Sequence, residues 1–355
     1  MSHTTDTPAR RTSLPGLNTL LVIVRYLIIF LVAFGLFGVI LLIAGKDPVL
    51  AIQDTLSSTL GSAYGFSEVI VKMIPLLFTA IAVALPSRVG LINVGAEGQL
   101  YMGAWLATWG ALTFAPLPSW ILLPLMMVLG MIGGGLWALV PAFLRARGWV
   151  NETITTLLMN YVAPSVVTFF IYGPWRSPFN SLYPQTVDFV PAARLPTFFG
   201  TRVHLGLILA IVLAVLYWFA MKYTRWGLEM RAIGGNPQAA RRNGIPLTLY
   251  IVAVMCLGGA IAGLAGTSEI SGIHGRLRPG FSPGFGYMGF LISWLSGGNP
   301  IGILVMSFVV ALISSGGDIL QIKQGLPFAV VNLLLAITLF VVLARPALLV
   351  KGKKA

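Results

Sequence analysis

Apolar residues run along this chain in blocks of about 20, the length that crosses roughly 30 Å of hydrocarbon as a helix rising 1.5 Å per residue. The pattern predicts an all-α polytopic membrane protein of about ten transmembrane helices. They lie near 20–44, 68–86, 98–114, 119–144, 152–172, 203–221, 248–267, 284–298, 300–320 and 326–344, and Gly-rich stretches border the third, eighth and ninth. Residues 1–19 then form a polar N-terminal tail, 20–344 the transmembrane domain with its principal inside connection at 222–247, and 345–355 a basic tail. The first block is too long for a signal-peptide core and no small-residue cleavage site follows it, so it reads as a retained span.

Composition strengthens this picture. Hydrophobic residues make up 57% of the 355 and charged residues only 9%, against about 25% charged in soluble domains. A net charge of +13 would suit nucleic acid, but the basic residues are scattered through short connections, as in the orientation bias of membrane proteins, and we expect no nucleic-acid partner. With both termini in the cytoplasm, the outside set holds only Lys46, Lys72, Arg176, Arg194, Arg202, Arg276, Arg278 and Lys323 of the 23 Lys and Arg. Two outside connections are long: 45–67, with room for a surface helix, and the Pro-rich 173–202. Cys256 lies alone in an apolar block, which leaves no disulfide framework.

Polar residues inside or beside spans carry the chemistry. Gly90-Leu-Ile-Asn-Val-Gly-Ala-Glu-Gly-Gln99 sits between two blocks. Backbone leaves the helical pattern at membrane depth only where protein or a wet cavity satisfies it, and an ionisable residue there marks a functional site. Glu97 therefore reads either as part of a translocation path, with Asn93 and Gln99, or as a plain helix cap. Asn151 and Glu152 suit the start of a helix. Asn160, about two turns further on, needs a partner, either a neighbouring helix or a solute.

Gly98–Gly103 (GQLYMG) is echoed by Gly284–Gly289 (GFGYMG). Five predicted spans separate the copies, the offset of an inverted repeat with broken helices. Gly272–Gly284 reads as an outside loop, and Phe281, Phe285 and Tyr287 offer faces to a ring-shaped solute or form an aromatic belt. His274 has no second ligand at metal spacing, so we expect no metal site.

Residues 231–245 read as a complete miniature helix. Asn236 caps its start, Pro237 fills the first turn, Arg241 and Arg242 suit its last turn, and Gly244 supplies a left-handed stop. A helix that short needs a docking surface, whether lipid headgroups, the chain's own spans or another subunit. Lys46 and Lys353 lack the glycines of a P-loop, and no catalytic cluster is evident. The chain is not expected to be an enzyme.

These stretches carry a resemblance. Gly90–Gly103 resembles the signature of ABC-transporter permeases of the ribose, branched-chain amino acid and nucleoside group. Asn151-Glu152 with Thr155–Tyr161, His274–Leu277 and Pro279–Pro283 are most similar to the larger permease of nucleoside importers, and the likeness spans about 68–345. It implies a permease subunit in the inner (plasma) membrane that moves a small polar solute, a nucleoside above a simple sugar, by alternating access. The implied partners are a second permease (a relative or a copy), a cytoplasmic ATPase that holds ATP and Mg, and a substrate-binding lipoprotein or periplasmic protein. This chain would bind no cofactor itself. In that light Gly235, Asn236, Pro237, Ala239, Ala240, Arg241 and Gly244 form the segment that couples to the ATPase. Asn93, Glu97, Gln99, Asn151, Asn160, Phe281, Phe285 and Tyr287 then lie near the path. The competing expectation, from the broken-helix pattern, is a self-sufficient secondary transporter or channel.

Overall fold

The computed structural model describes residues 31–32, 35–43, 45–179 and 183–325, and the single positions 329, 333, 336 and 337. The two tails and most of the first and tenth predicted spans lie outside these residues. The regular structure described is helical: α1 Gly35–Ile43, α2 Pro48–Thr59, α3 Ala63–Ser87, α4 Ala96–Thr113, α5 Ser119–Ala146, α6 Glu152–Tyr172, α7 Gly206–Tyr223, α8 Arg225–Gly235, α9 Pro237–Arg242, α10 Leu247–Glu269, α11 Phe285–Leu295 and α12 Pro300–Gln324. A π turn, Ile270–His274, prolongs α10 until Gly275 turns left-handed. The outside loop predicted at 272–284 is shortened accordingly. The chain divides into two compact units, Thr55–Ile319 and Met1–Asp54 with Leu320–Ala355. In the second, Asp54 pairs with Lys323 at 3.1 Å and accepts from Gln324 at 3.2 Å.

Six described helices are long and apolar enough to cross a membrane: α3, α5, α6, α7, α10 with its π turn, and α12. The ten predicted spans are therefore not all found. The block at 98–114 becomes α4, whose first turn carries Glu97 and Gln99 and which is less apolar than a span. The block at 284–298 becomes α11, whose 11 residues rise only about 16 Å. Both helices start inside the protein, where α4 buries its first turn.

The enclosed helix of the larger unit is α3, with 89% of its apolar window buried, whereas the windows of α6 and α7 are 28% buried. The exposed apolar faces of α6 and α7 suit lipid, and the polar residues of α3 must find partners in the protein. Lys72, assigned to an outside connection from the sequence, lies within α3. It pairs with Asp318 of α12 and donates to the Ser314 carbonyl at 3.0 Å.

Hydrocarbon chains are as apolar as leucine, so helices in a bilayer associate by close packing, and small residues permit it. Here α5 carries Gly130 and Gly134, and α10 carries Gly259 and Gly263, a Gly-x-x-x-Gly pair on each helix. A Cβ on Gly263 would overlap the Gly130 carbonyl, and one on Gly134 would overlap that of Gly259. The same helices grip α4, since Cβ atoms on Gly103, Gly133 and Gly266 would strike Gly263, Met102 and Leu100 backbone respectively. The three helices are thus fastened backbone to backbone, and the N-terminus of α4 is fixed in place.

This packing predicts a sharp contrast between adjacent residues. A Cβ at Gly135 meets its nearest neighbour, the Cys256 carbonyl, at 3.3 Å. Gly134→Ala should reduce the monodisperse fraction in detergent several-fold, while Gly135→Ala should remain close to wild type in the same size-exclusion assay.

Candidate functional site

Between α3 and α4 the chain leaves the helical pattern at residues 88–95, and Gly90 adopts a left-handed φ of 78°. Non-helical backbone buried in a bilayer protein needs partners for each N–H and C=O. The N–H groups of residues 88–91 bond back to the end of α3, and one stripe of α6 supplies partners further on. Glu152, Thr156 and Asn160 are spaced by four residues and so share a face. Glu152 accepts from Ile92 N–H at 3.2 Å and pairs with Arg145 at 2.9 Å. Thr156 Oγ1 accepts from Val94 N–H at 3.3 Å. Asn160 donates to the Val94 carbonyl and accepts from Gly98 N–H, both at 2.8 Å.

Inside the break, Asn93 and Gln99 exchange two amide hydrogen bonds of 3.1 Å, and Asn93 Oδ1 also accepts from Gly95 N–H at 3.0 Å. Both side chains are buried. Their amides bind each other inside the protein.

Glu97 is buried where two helices begin. It lies in the first turn of α4, and its Oε2 accepts from Gly286 N–H, in the first turn of α11, at 2.6 Å. Helix N-termini favour negative charge, so one carboxyl group serves both ends. A Cβ on Gly286 would collide with Glu97 backbone, which explains glycine there. Just before α11, Ser282 Oγ accepts from Gly284 and Phe285 N–H at 3.2 Å each. The echoed sequences thus open two helices whose N-termini meet.

The structure places the predicted path residues unequally. Asn93, Glu97, Gln99 and Asn160 form the junction. Phe281 is buried with its ring 4.6 Å from that of Tyr101, and the Phe285 carbonyl lies 3.0 Å from Thr79 Oγ1 of α3. Tyr287 is 41% exposed, beside Tyr161 at 68%. Asn151 stands apart. It caps α6 by accepting from Thr153 N–H at 2.8 Å, nine residues and about 14 Å along the helix from Asn160.

The predicted coupling residues form a separate feature. Asn236 Oδ1 accepts from Ala239 N–H at 3.0 Å, Pro237 opens α9, and Gly244 follows it with φ 81°. Of α9 only Ala240 is buried; Gly235, Asn236, Pro237, Ala239, Arg241 and Gly244 are exposed. Sequence reasoning missed α8. Its Glu229 accepts from Arg225 at 2.6 Å and from the Tyr250 hydroxyl, tying α8 to α10. The Tyr250 bond, then Arg225, holds the Glu229 carboxyl below its ordinary range. The tie is therefore intact above the usual carboxylate range and is lost as pH falls through the lowered pKa. It also missed the α6 stripe, although the spacing of Glu152, Thr156 and Asn160 was visible. Among the described residues no three His, Cys, Asp or Glu gather to hold a metal ion.

Asn160→Leu keeps the branching at Cγ but strands Gly98 N–H and the Val94 carbonyl, at on the order of 1–3 kcal/mol each. Thermal melting in detergent should show a much larger fall for this variant than for Asn151→Ala, where loss of a cap costs about 1 kcal/mol.

The family described as branched-chain amino acid transport system / permease component matches residues 65–343. The glucose ABC transporter permease protein TsgB13 of Haloferax volcanii is 36% identical over 87% of this chain and 84% of its own length. The guanosine ABC transporter permease protein NupP of Bacillus subtilis is 31% identical over 89% and 92%, and the nucleoside ABC transporter permease protein NupB of Lactococcus lactis 30% over 90% and 90%. With its apolar spans, its two helices that begin inside the protein and a match over most of its length, this chain belongs to the branched-chain amino acid transport system / permease component family.

Proposed function

We propose that this chain is the larger membrane subunit of an ABC importer that moves a nucleoside across the inner (plasma) membrane by alternating access, both termini facing the cytoplasm. A second permease, a relative or a copy, completes the path. A cytoplasmic ATPase holds ATP and Mg, and a binding lipoprotein or periplasmic protein delivers the solute. The relatives above are permease subunits rather than enzymes, which supports the same division of labour here and favours ATP-driven import over a self-sufficient transporter.

The observation that carries this reading is α9. Two turns of helix are marginal in water, yet this one is capped, packs through Ala240 alone and presents Gln238, Ala239, Arg241 and Arg242 outward. A protein surface on those residues would receive the motion of the ATPase, and the tie from Glu229 to Tyr250 would pass it to α10. Tyr161 and Tyr287, exposed beside the junction, offer ring faces to a planar base on the side where a second permease would sit. A simple sugar is the second reading, favoured by the 36% identity to the glucose permease.

In proteoliposomes holding the complete importer, Ala239→Arg should reduce ATP-driven uptake by at least about tenfold, a loss of 1.4 kcal/mol or more at a helix contact, with insertion unchanged. Uptake at the wild-type rate would contradict the coupling role. Ala240 is a poor test because its side chain packs inside this chain. Competition of labelled nucleoside uptake by unlabelled nucleosides and by glucose separates the two solutes, and glucose as the stronger competitor would favour the sugar.

A further inference from the structure

At the end of the bundle that carries α8 and α9, a cavity of about 450 Å³ opens between α3, α7, α8 and the start of α12. Its polar walls are Arg88, Lys222, Arg231 and Asn299, with Trp218 and Pro300 beside them. Among the described residues, the three cations bond only to neutral groups. Arg88 donates to the Tyr217 hydroxyl at 2.9 Å and to the Gly298 carbonyl, and Arg231 donates to the Met221 carbonyl. Lys222 lies over the rings of Trp218 and Tyr223, at 5.4 and 5.2 Å. No ion pair among the described residues involves any of the three.

Three uncompensated cations around one cavity call for an anion, and the cavity's position narrows its source. Ile211, Val215 and Trp218 form an exposed stripe on α7 that leads to Lys222. Apolar residues that give way to Trp, Tyr and Lys mark the passage from acyl chains to headgroups. Basic pockets between helices at this level suit anionic headgroups.

We propose that this cavity binds the phosphate of an anionic phospholipid, with Lys222 and Arg231 as its reachable ligands, Arg88 as a fixed charge at its base, and the acyl chains along the exposed stripe of α7. The site lies where α7 turns into α8. A bound headgroup would brace the elbow that leads to α9. The inference rests on the membrane embedding of the chain and is independent of the solute.

The test uses the purified full chain in phosphatidylcholine nanodiscs, with phosphatidylglycerol titrated in and retained lipid counted by native mass spectrometry. Wild-type protein should retain phosphatidylglycerol in preference to phosphatidylcholine. Lys222→Gln should weaken that retention about fivefold, the effect of one cation near a membrane surface, and Lys222→Arg should restore it. Arg147→Gln should leave it unchanged, because Arg147 also stacks on aromatic rings, Phe143 and Trp149, but does not line this cavity. Equal retention of the two lipids would overturn the proposal, as would equal losses in Lys222→Gln and Arg147→Gln. Displacement of phosphatidylglycerol by an equal concentration of inorganic phosphate would replace it with a soluble-anion site. Loss of the lipid when the ATPase binds would give the cavity to a protein contact instead.

Discussion

Backbone that leaves the helix inside a bilayer must find every hydrogen bond within the protein, and the rest of this structure follows from how that demand is met at residues 90–99. A lone unsatisfied N–H or C=O there would cost several kcal/mol. The chain answers with α6, where Glu152, Thr156 and Asn160 close three backbone bonds of the break and one in the first turn of α4. Glu97 then links the first turn of α4 to that of α11. Polar residues that look like a solute path in isolation are thus largely occupied with one another. Tyr161 and Tyr287 stand exposed at the junction's edge.

Such a junction holds its geometry only if the helices around it cannot slide. The backbone-to-backbone contacts of α4, α5 and α10 through their glycines supply that rigidity. A rigid block of this kind suits alternating access, in which groups of helices rock as units. The segment that would drive such rocking lies elsewhere, at α8 and α9, and its tie to the block is the pair Glu229 and Tyr250. Under the proposed coupling, the rigid packing within the bilayer and the exposed α9 would act together.

What could be read from the sequence was local. Asn236, Pro237 and Gly244 signal the ends of α9 because caps and stops act within one or two turns. The glycines, amides and carboxylate of residues 90–99 mark a break because each is expensive in an apolar span. What escaped was long-range. Nothing in 284–298 says that its helix would be short, since that depends on the meeting of Gly286 with Glu97. Lys72 looked like an interfacial charge until Asp318, 246 residues away, supplied its partner. The Gly-x-x-x-Gly pairs gain their meaning only when α5 lies against α10.

Amide hydrogen exchange across the junction, in the full chain in lipid nanodiscs, tests the central claim most directly. If side chains of α6 and the carboxyl of Glu97 satisfy this backbone, the amides of Ile92, Val94, Gly98 and Gly286 exchange as slowly as those in the middle of α3. Exchange at the rate of the exposed turn at residues 243–244 would contradict it, and would make the break a wet, open loop.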